Sequence, residues 1–158
     1  MSFKEMFREE LIYLSERALN ETELFEKIAS RLYCQGFVNK DYKDGLVKRE
    51  ENFPTGLMTQ YLNIALPHSD TCFIEQPFIC VVRIKDPITV KQMGDNQEIE
   101  VRNFLFLGIK DPSKQVGLLQ FLMELFQDES FVSMFQSIDN EKSMFQLFEK
   151  KISEPEAV

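Results

Sequence analysis

The sequence has no tryptophan, one histidine and three cysteines, and each shortage narrows what the protein can be. Cys34, Cys72 and Cys80 make an odd count with no CxxC pair, which fits reduced thiols in a cytoplasmic protein better than a disulfide framework. Nowhere does the chain reach the roughly 18 consecutive apolar residues that a membrane-crossing helix needs. The stretch from Met1 to Arg8 carries early acids and no long apolar core, so it is not a secretory signal. Positive charge is scarce: 18 Lys and Arg face 26 Asp and Glu, for a net charge of −8. That balance argues against nucleic acid as the main partner, because phosphate backbones are bound by clustered Lys and Arg. There is no GxSxG nucleophile motif, no ligand cluster for a metal and no Gly-rich, phosphate-cradling loop around a cysteine. Repeats, low-complexity segments and internal linkers are also missing.

What is present reads as one globular domain over residues 1–153, with 154–158 as a C-terminal tail. The 44% hydrophobic and 28% charged content is ordinary, and 15 phenylalanines imply a Phe-rich core. The apolar runs around Cys34 and Cys80 place the cysteines in core packing. Leu11–Leu14 is a first short strand. Asn20 followed by Glu23 forms a capping box, Leu24, Phe25, Ile28, Leu32 and Tyr33 keep helical spacing, and Gly36 stops the helix. Asn39 caps a shorter second helix running to about Glu50. Asn52 to Leu57 breaks regularity with Pro54 and Gly56. Phe78–Ile84 is an apolar strand turned by Asp86-Pro87, and Ile88–Val90 is a separate extended piece. Ile99 to Ile109 leads into another buried strand. A long helix follows, with Val116, Leu119, Leu122, Met123 and Phe126 on one face and Leu118 and Leu125 widening the stripe. Two shorter helices around Phe131–Ile138 and Met144–Ile152 close the chain. The expected fold is α/β: one mixed sheet of about four to six strands packed by helices.

The lone histidine, His68, follows Pro67 at the end of the apolar run Ile64–Leu66. Proline cannot donate to a strand ladder, so regular pairing should end there or lie on an edge, and the chain should enter a solvent-facing turn through Ser69, Asp70 and Thr71. A strand end is a rigid mount for a reactive imidazole. The sequence argues against a Ser-His-Asp set: Ser69 is the direct neighbour of His68, and no independent nucleophile motif such as GxSxG exists.

Arg49-Glu50, Thr55-Gly56 and Ile64-Ala65-Leu66-Pro67-His68, in that order, resemble the R-E, T-G, I-A-x-P-H pattern of enzyme IIA components. These belong to the mannitol/fructose superfamily of the bacterial phosphoenolpyruvate-dependent sugar phosphotransferase system. The likeness spans nearly the whole chain, and its details look most like the galactitol type. It implies a phosphorelay enzyme: a phosphoryl group passes from phospho-HPr to His68, a candidate for phosphorylation at Nε2, and then to a cysteine of a IIB component. A membrane IIC permease takes part indirectly. The resemblance implies no cofactor, no metal and no direct insertion into the membrane. It also implies that Arg49 stabilises phosphoryl oxygens and that Thr55 donates a hydroxyl.

The chain departs from the mannitol-type pattern in three places. Gln115 stands where a second histidine is placed, which excludes a two-histidine mechanism and leaves an amide that can only hydrogen-bond. The segment from Thr55 to His68 is a few residues longer. Leu62 and Asn63 stand where an acid precedes the strand. Docking of two partners in turn implies a shallow surface rimmed by Phe53, Pro54, Leu57 and the face around Val116. The rival expectation is a nitrogen-type regulatory protein that binds partners according to its phosphorylation state.

Overall fold

Successive strand residues point to opposite faces of a sheet, so two apolar sets along one strand need two layers of helices to bury them. The computed structural model describes residues 3–153. In chain order the elements are β1 (Phe7–Glu16), α1 (Glu21–Cys34), α2 (Tyr42–Asn52), β2 (Gly56–Met58), β3 (Asn63–Ala65), β4 (Phe78–Lys91), β5 (Glu98–Gly108), α3 (Gln115–Leu125), α4 (Glu129–Ser137) and α5 (Glu141–Ser153). The five strands form one mixed sheet in the order β1-β4-β5-β3-β2. β1 and β4 pair parallel, as do β3 and β5, whereas β4 with β5 and β2 with β3 are antiparallel. Phe78, Cys80, Val82, Phe104 and Phe106 pack with the apolar residues of α1 and α2. Their neighbours Ile79, Val81, Leu105 and Leu107 pack with α3, α4 and α5. Both faces are covered, which is why the strands read as continuous apolar runs. The α/β class and the single mixed sheet are therefore as expected.

Half of the expected capping box of α1 forms: the Asn20 side chain accepts the Glu23 N–H at 2.9 Å, while the Glu23 carboxylate lies 3.6 Å from Lys27 Nζ. Gly36, at φ +84°, takes the left-handed position just past the helix end. Other expectations need correction. Asn39 does not cap α2; its side chain accepts the Asp41 N–H in a tight turn, and the helix runs on to Asn52. Pro87 does not break the strand. β4 continues through it, with a register shift between Arg83 and Ile88 where an N–H is dispensable. The irregular stretch before His68 contains β2, an edge strand too short for periodicity to reveal. On α3 the buried residues are Leu118, Leu122 and Leu125, while Val116 is 75% exposed. Of the expected face, Leu122 and Phe126 are fully buried and Leu119 packs against the core; the wide stripe turns inward at Leu118 and Leu125 and leaves Val116 outside. Cys34 and Cys72 are exposed, and only Cys80 is core. Cys34 lies off the Leu24-Ile28-Leu32 stripe at the end of α1, and Cys72 sits in a short 3-10 turn. The tail at 154–158 lies outside the described residues.

Two details fix the strand that carries His68. Gly56 opens β2 against the far end of β4, and its carbonyl accepts the Met93 N–H at 2.8 Å. A Cβ at Gly56 would lie 2.5 Å from the Lys91 carbonyl oxygen, so only glycine allows this approach. Gly56→Ala should push β2 off its neighbour and destabilise the protein by about 2 kcal/mol. A urea midpoint lowered at unchanged slope is the expected result; an unchanged midpoint would contradict the close approach.

Candidate functional site

His68 sits where β3 leaves the sheet, and the sheet holds it there. The Pro67 carbonyl accepts the Leu107 N–H at 2.9 Å, and His68 forms a parallel bridge with Leu107. Pairing therefore survives the proline by one residue, because Pro67 serves as an acceptor there. His68 Nδ1 lies 2.8 Å from the Leu66 carbonyl oxygen. A carbonyl only accepts, so Nδ1 carries the proton in the neutral ring and Nε2 keeps the lone pair. The residue is only 7% exposed. Burial lowers its pKa below the ordinary imidazole value, and the charge of Arg49 lowers it further. The Leu66 bond and Asp70 act in the opposite direction without reversing the shift. A neutral, oriented imidazole is a nucleophile at neutral pH.

Arg49 stands at the C-terminal end of α2, where a cation suits the helix dipole. It is not merely a surface charge. One Nη1 donates to Asp70 Oδ1 at 2.7 Å, and the guanidinium carbon lies 5.3 Å from the centre of the Phe53 ring. Its Nε is buried and has no hydrogen-bond partner. Asp70 thus brings Arg49 to the residue pair that follows His68. Ser69, expected to face solvent, is buried at 4%, and its hydroxyl donates to the Asp70 carbonyl at 2.9 Å.

Thr55 turns inward. Its N–H donates to Glu50 Oε2 at 2.7 Å and its hydroxyl to Glu50 Oε1 at 2.8 Å. Glu50 and Thr55 are both buried, and burial raises the Glu50 pKa against the pull of the two Thr55 bonds. The Thr55 hydroxyl proton is therefore engaged by Glu50. The Thr55 carbonyl in turn accepts the Leu66 N–H at 3.3 Å. A line of contacts runs from Glu50 through Thr55 and Leu66 to His68. Glu50 belongs to the R-E pattern, and the sequence signal for its structural task is an acid five residues before a threonine, on the same helix end as Arg49.

Glu21, at the start of α1, is close enough to Glu50 for the two charges to repel, and burial with that repulsion pushes it up to about 8. Gln115 opens α3 partly buried, and among the described residues no hydrogen bond joins it to His68. Asn63 spends its amide on the Glu100 carbonyl at 3.1 Å, away from the imidazole. Phe53 is 63% exposed beside Arg49, giving the site an apolar neighbour. Among the described residues no group of three or more His, Cys, Asp and Glu is placed to hold a metal ion, and no helix is long and apolar enough to cross a membrane.

Comparison with known proteins gives a consistent picture. A family model described as "Phosphoenolpyruvate-dependent sugar phosphotransferase system, EIIA 2" matches residues 5–151. The galactitol-specific EIIA component of Escherichia coli K12 is 25% identical over 114 residues, which is 72% of this chain and 76% of that protein. Among solved structures, the nitrogen regulatory protein IIA-Ntr from Neisseria meningitidis superposes with a TM-score of 0.72 at 19% identity, covering 92% of this chain and 97% of that one. Enzyme IIAMTL of Escherichia coli, solved in complex with phosphorylated enzyme IIBMTL, superposes with a TM-score of 0.70 at 18% identity, covering 89% and 96%. At these identities the two structures show a shared fold.

With one histidine in the chain, ring resonances in a nitrogen-15 NMR titration are assigned without ambiguity. The midpoint should fall below the usual imidazole value of about 6.5, with the proton of the neutral ring on Nδ1. Arg49→Gln should move the midpoint up. A midpoint at or above the usual value in the unmodified protein would contradict the buried geometry.

Proposed function

The chain belongs to the EIIA 2 family of the phosphoenolpyruvate-dependent sugar phosphotransferase system, and from that premise we propose that His68 is its phosphoryl carrier. The observation that carries this reading is the 2.8 Å contact of His68 Nδ1 with the Leu66 carbonyl, which leaves Nε2 as the nucleophile. The Nε2 lone pair attacks the phosphorus of phospho-HPr. A new N–P bond forms as the donor N–P bond breaks, and the donor imidazole departs with the electron pair. Nδ1 keeps its proton throughout and donates it in the hydrogen bond to the Leu66 carbonyl. In the second half, the thiolate of a IIB cysteine attacks the same phosphorus: an S–P bond forms, the N–P bond breaks and His68 recovers its lone pair. Such transfers spread charge over three equatorial oxygens, so positioning and charge stabilisation do most of the work. Arg49 supplies the guanidinium, including the buried Nε that has no other partner. Thr55 acts indirectly, through its bonds to Glu50 and Leu66. Gln115, partly buried at the start of α3, is proposed as a neutral donor that comes into use when a phosphoryl group is present. Phe53 and Val116 are exposed and Pro54 and Leu57 half-buried, and these four are the proposed docking rim for HPr and IIB in turn.

The cargo is a sugar or sugar alcohol of the galactitol class, a reading supported by the galactitol-specific relative. The carrier itself does not touch the sugar; recognition rests with the membrane partner. A nitrogen-type regulatory role uses the same fold and the same histidine. Onward transfer to a IIB cysteine is what separates the two.

Incubation with phosphoenolpyruvate, enzyme I and HPr should add one phosphate by intact mass, acid-labile and alkali-stable. His68→Gln should abolish it, and Arg49→Gln should slow it about 100-fold. The lowered pKa of His68 sets the pH dependence. Acceptance should stay level above about pH 6.5 and fall only as the pH drops through the depressed value, where the ring protonates. Folded protein that takes no phosphate would defeat the proposal.

A further inference from the structure

Asp70 is the part of the site that the transfer chemistry leaves without a task. Its carboxylate occupies the arginine on which the incoming phosphoryl oxygens depend, at 2.7 Å. The backbone beneath it is fixed: the Asp70 carbonyl accepts both the Ser69 hydroxyl at 2.9 Å and the Phe73 N–H at 3.4 Å. The carboxylate itself is not enclosed, with 67% of the side chain exposed against 27% for Arg49. An ion pair so open to water holds weakly, with a typical worth of about 0–1 kcal/mol, and gives way to a stronger anion. A phosphoryl group on His68 is that anion. It brings nearly two negative charges and three oxygens, and a guanidinium binds such groups in a planar fork. Arg49 also keeps one buried N–H without any partner, which Asp70 does not reach.

We propose that Asp70 is the resting counter-ion of Arg49, displaced when His68 is phosphorylated and competing to return, so that it lowers the stability of the phosphohistidine and favours onward transfer. The proposal rests on the phosphocarrier reading and assigns Asp70 as a positioning residue that acts through Arg49. In the resting state it holds the guanidinium beside the imidazole. In the phosphorylated state, displaced but still tethered close by, it opposes the new charge. The coupling is reciprocal: whatever Asp70 gains from Arg49, the phosphoryl group forfeits.

Two readouts test this on the full chain. First, inorganic phosphate is titrated while the His68 ring resonances are followed. Asp70→Asn should bind it about threefold more tightly, because the competitor is gone. Second, His68 is phosphorylated through enzyme I and HPr, and loss of the phosphate in buffer is timed by intact mass. The phosphate should persist about threefold longer on Asp70→Asn. In an Arg49→Gln background the Asp70 substitution should change neither quantity. Equal phosphate affinity in the two proteins, no phosphate binding in either, or the same gain persisting without Arg49 would overturn the proposal. If neither protein accepts a phosphoryl group, the phosphocarrier reading fails and the effect on phosphohistidine falls with it, while the inorganic phosphate titration still decides whether Asp70 competes with phosphate for Arg49.

Discussion

One hydrogen bond decides what this site is able to do: Nδ1 of His68 to the carbonyl of Leu66, two residues earlier. It fixes the tautomer, aims the ring and leaves a single nitrogen free to react. The bond is local, yet it is only as rigid as the backbone that supplies the carbonyl. Leu66 is held through its own N–H by Thr55, and the next residue, Pro67, is held by Leu107 on β5. His68 thus inherits its position from two neighbouring strands at once. That explains why an imidazole placed just past a proline is not a loose loop residue.

The support reaches one step deeper, to a carboxylate inside the protein. Burying Glu50 is unfavourable unless its oxygens find donors, and an unsatisfied buried polar group costs about 1–3 kcal/mol. Thr55 provides two, one from its backbone and one from its hydroxyl. The R-E and T-G parts of the sequence pattern are therefore two halves of one contact. Arg49 and Glu50 are adjacent on α2 but point to different tasks: the arginine to the outer, charged side of the site, the glutamate inward to the strand that carries it. Gly56 completes the arrangement, since a larger residue next to Thr55 would hold β2 away from the Lys91 carbonyl.

Much of this was legible in the sequence. The strand at Ile64, the cap at Asn20 and the α/β layering all follow from apolar runs and turn chemistry that act over a few residues. The choice of His68 as the candidate site residue came from its place in a recognisable pattern. What escaped has physical reasons. Pro87 reads as a break in any local scheme, yet tertiary pairing with β5 carries the strand through it. The inner face of α3 was ambiguous because apolar residues occupy most of its circumference, so the choice is made by what packs beneath. The pairing of Arg49 with Asp70 joins residues 21 positions apart, and no spacing rule reports a contact set by how α2 lies over the sheet. Thr55 was expected to face the reactive group; only the buried carboxylate, whose inward orientation the sequence does not display, shows why it turns away.

The sparse positive charge now has a consequence for reactivity. The protein carries a net charge of −8, and the cation whose charge acts on His68 is Arg49, already paired with an acid. A site built only to hold phosphate would concentrate positive charge and bury it. In the proposed carrier the stabilising group is Arg49, partly exposed and paired with Asp70, set in a molecule whose net charge opposes added negative charge. Tight retention would defeat a carrier, because binding that stabilises the loaded state as much as the transition state does nothing for the rate of the next step. In the proposed carrier a weak, exchangeable Arg49–Asp70 pair would suit the opposite demand: enough positive charge to assist transfer in both directions, and too little to keep the group once it has arrived.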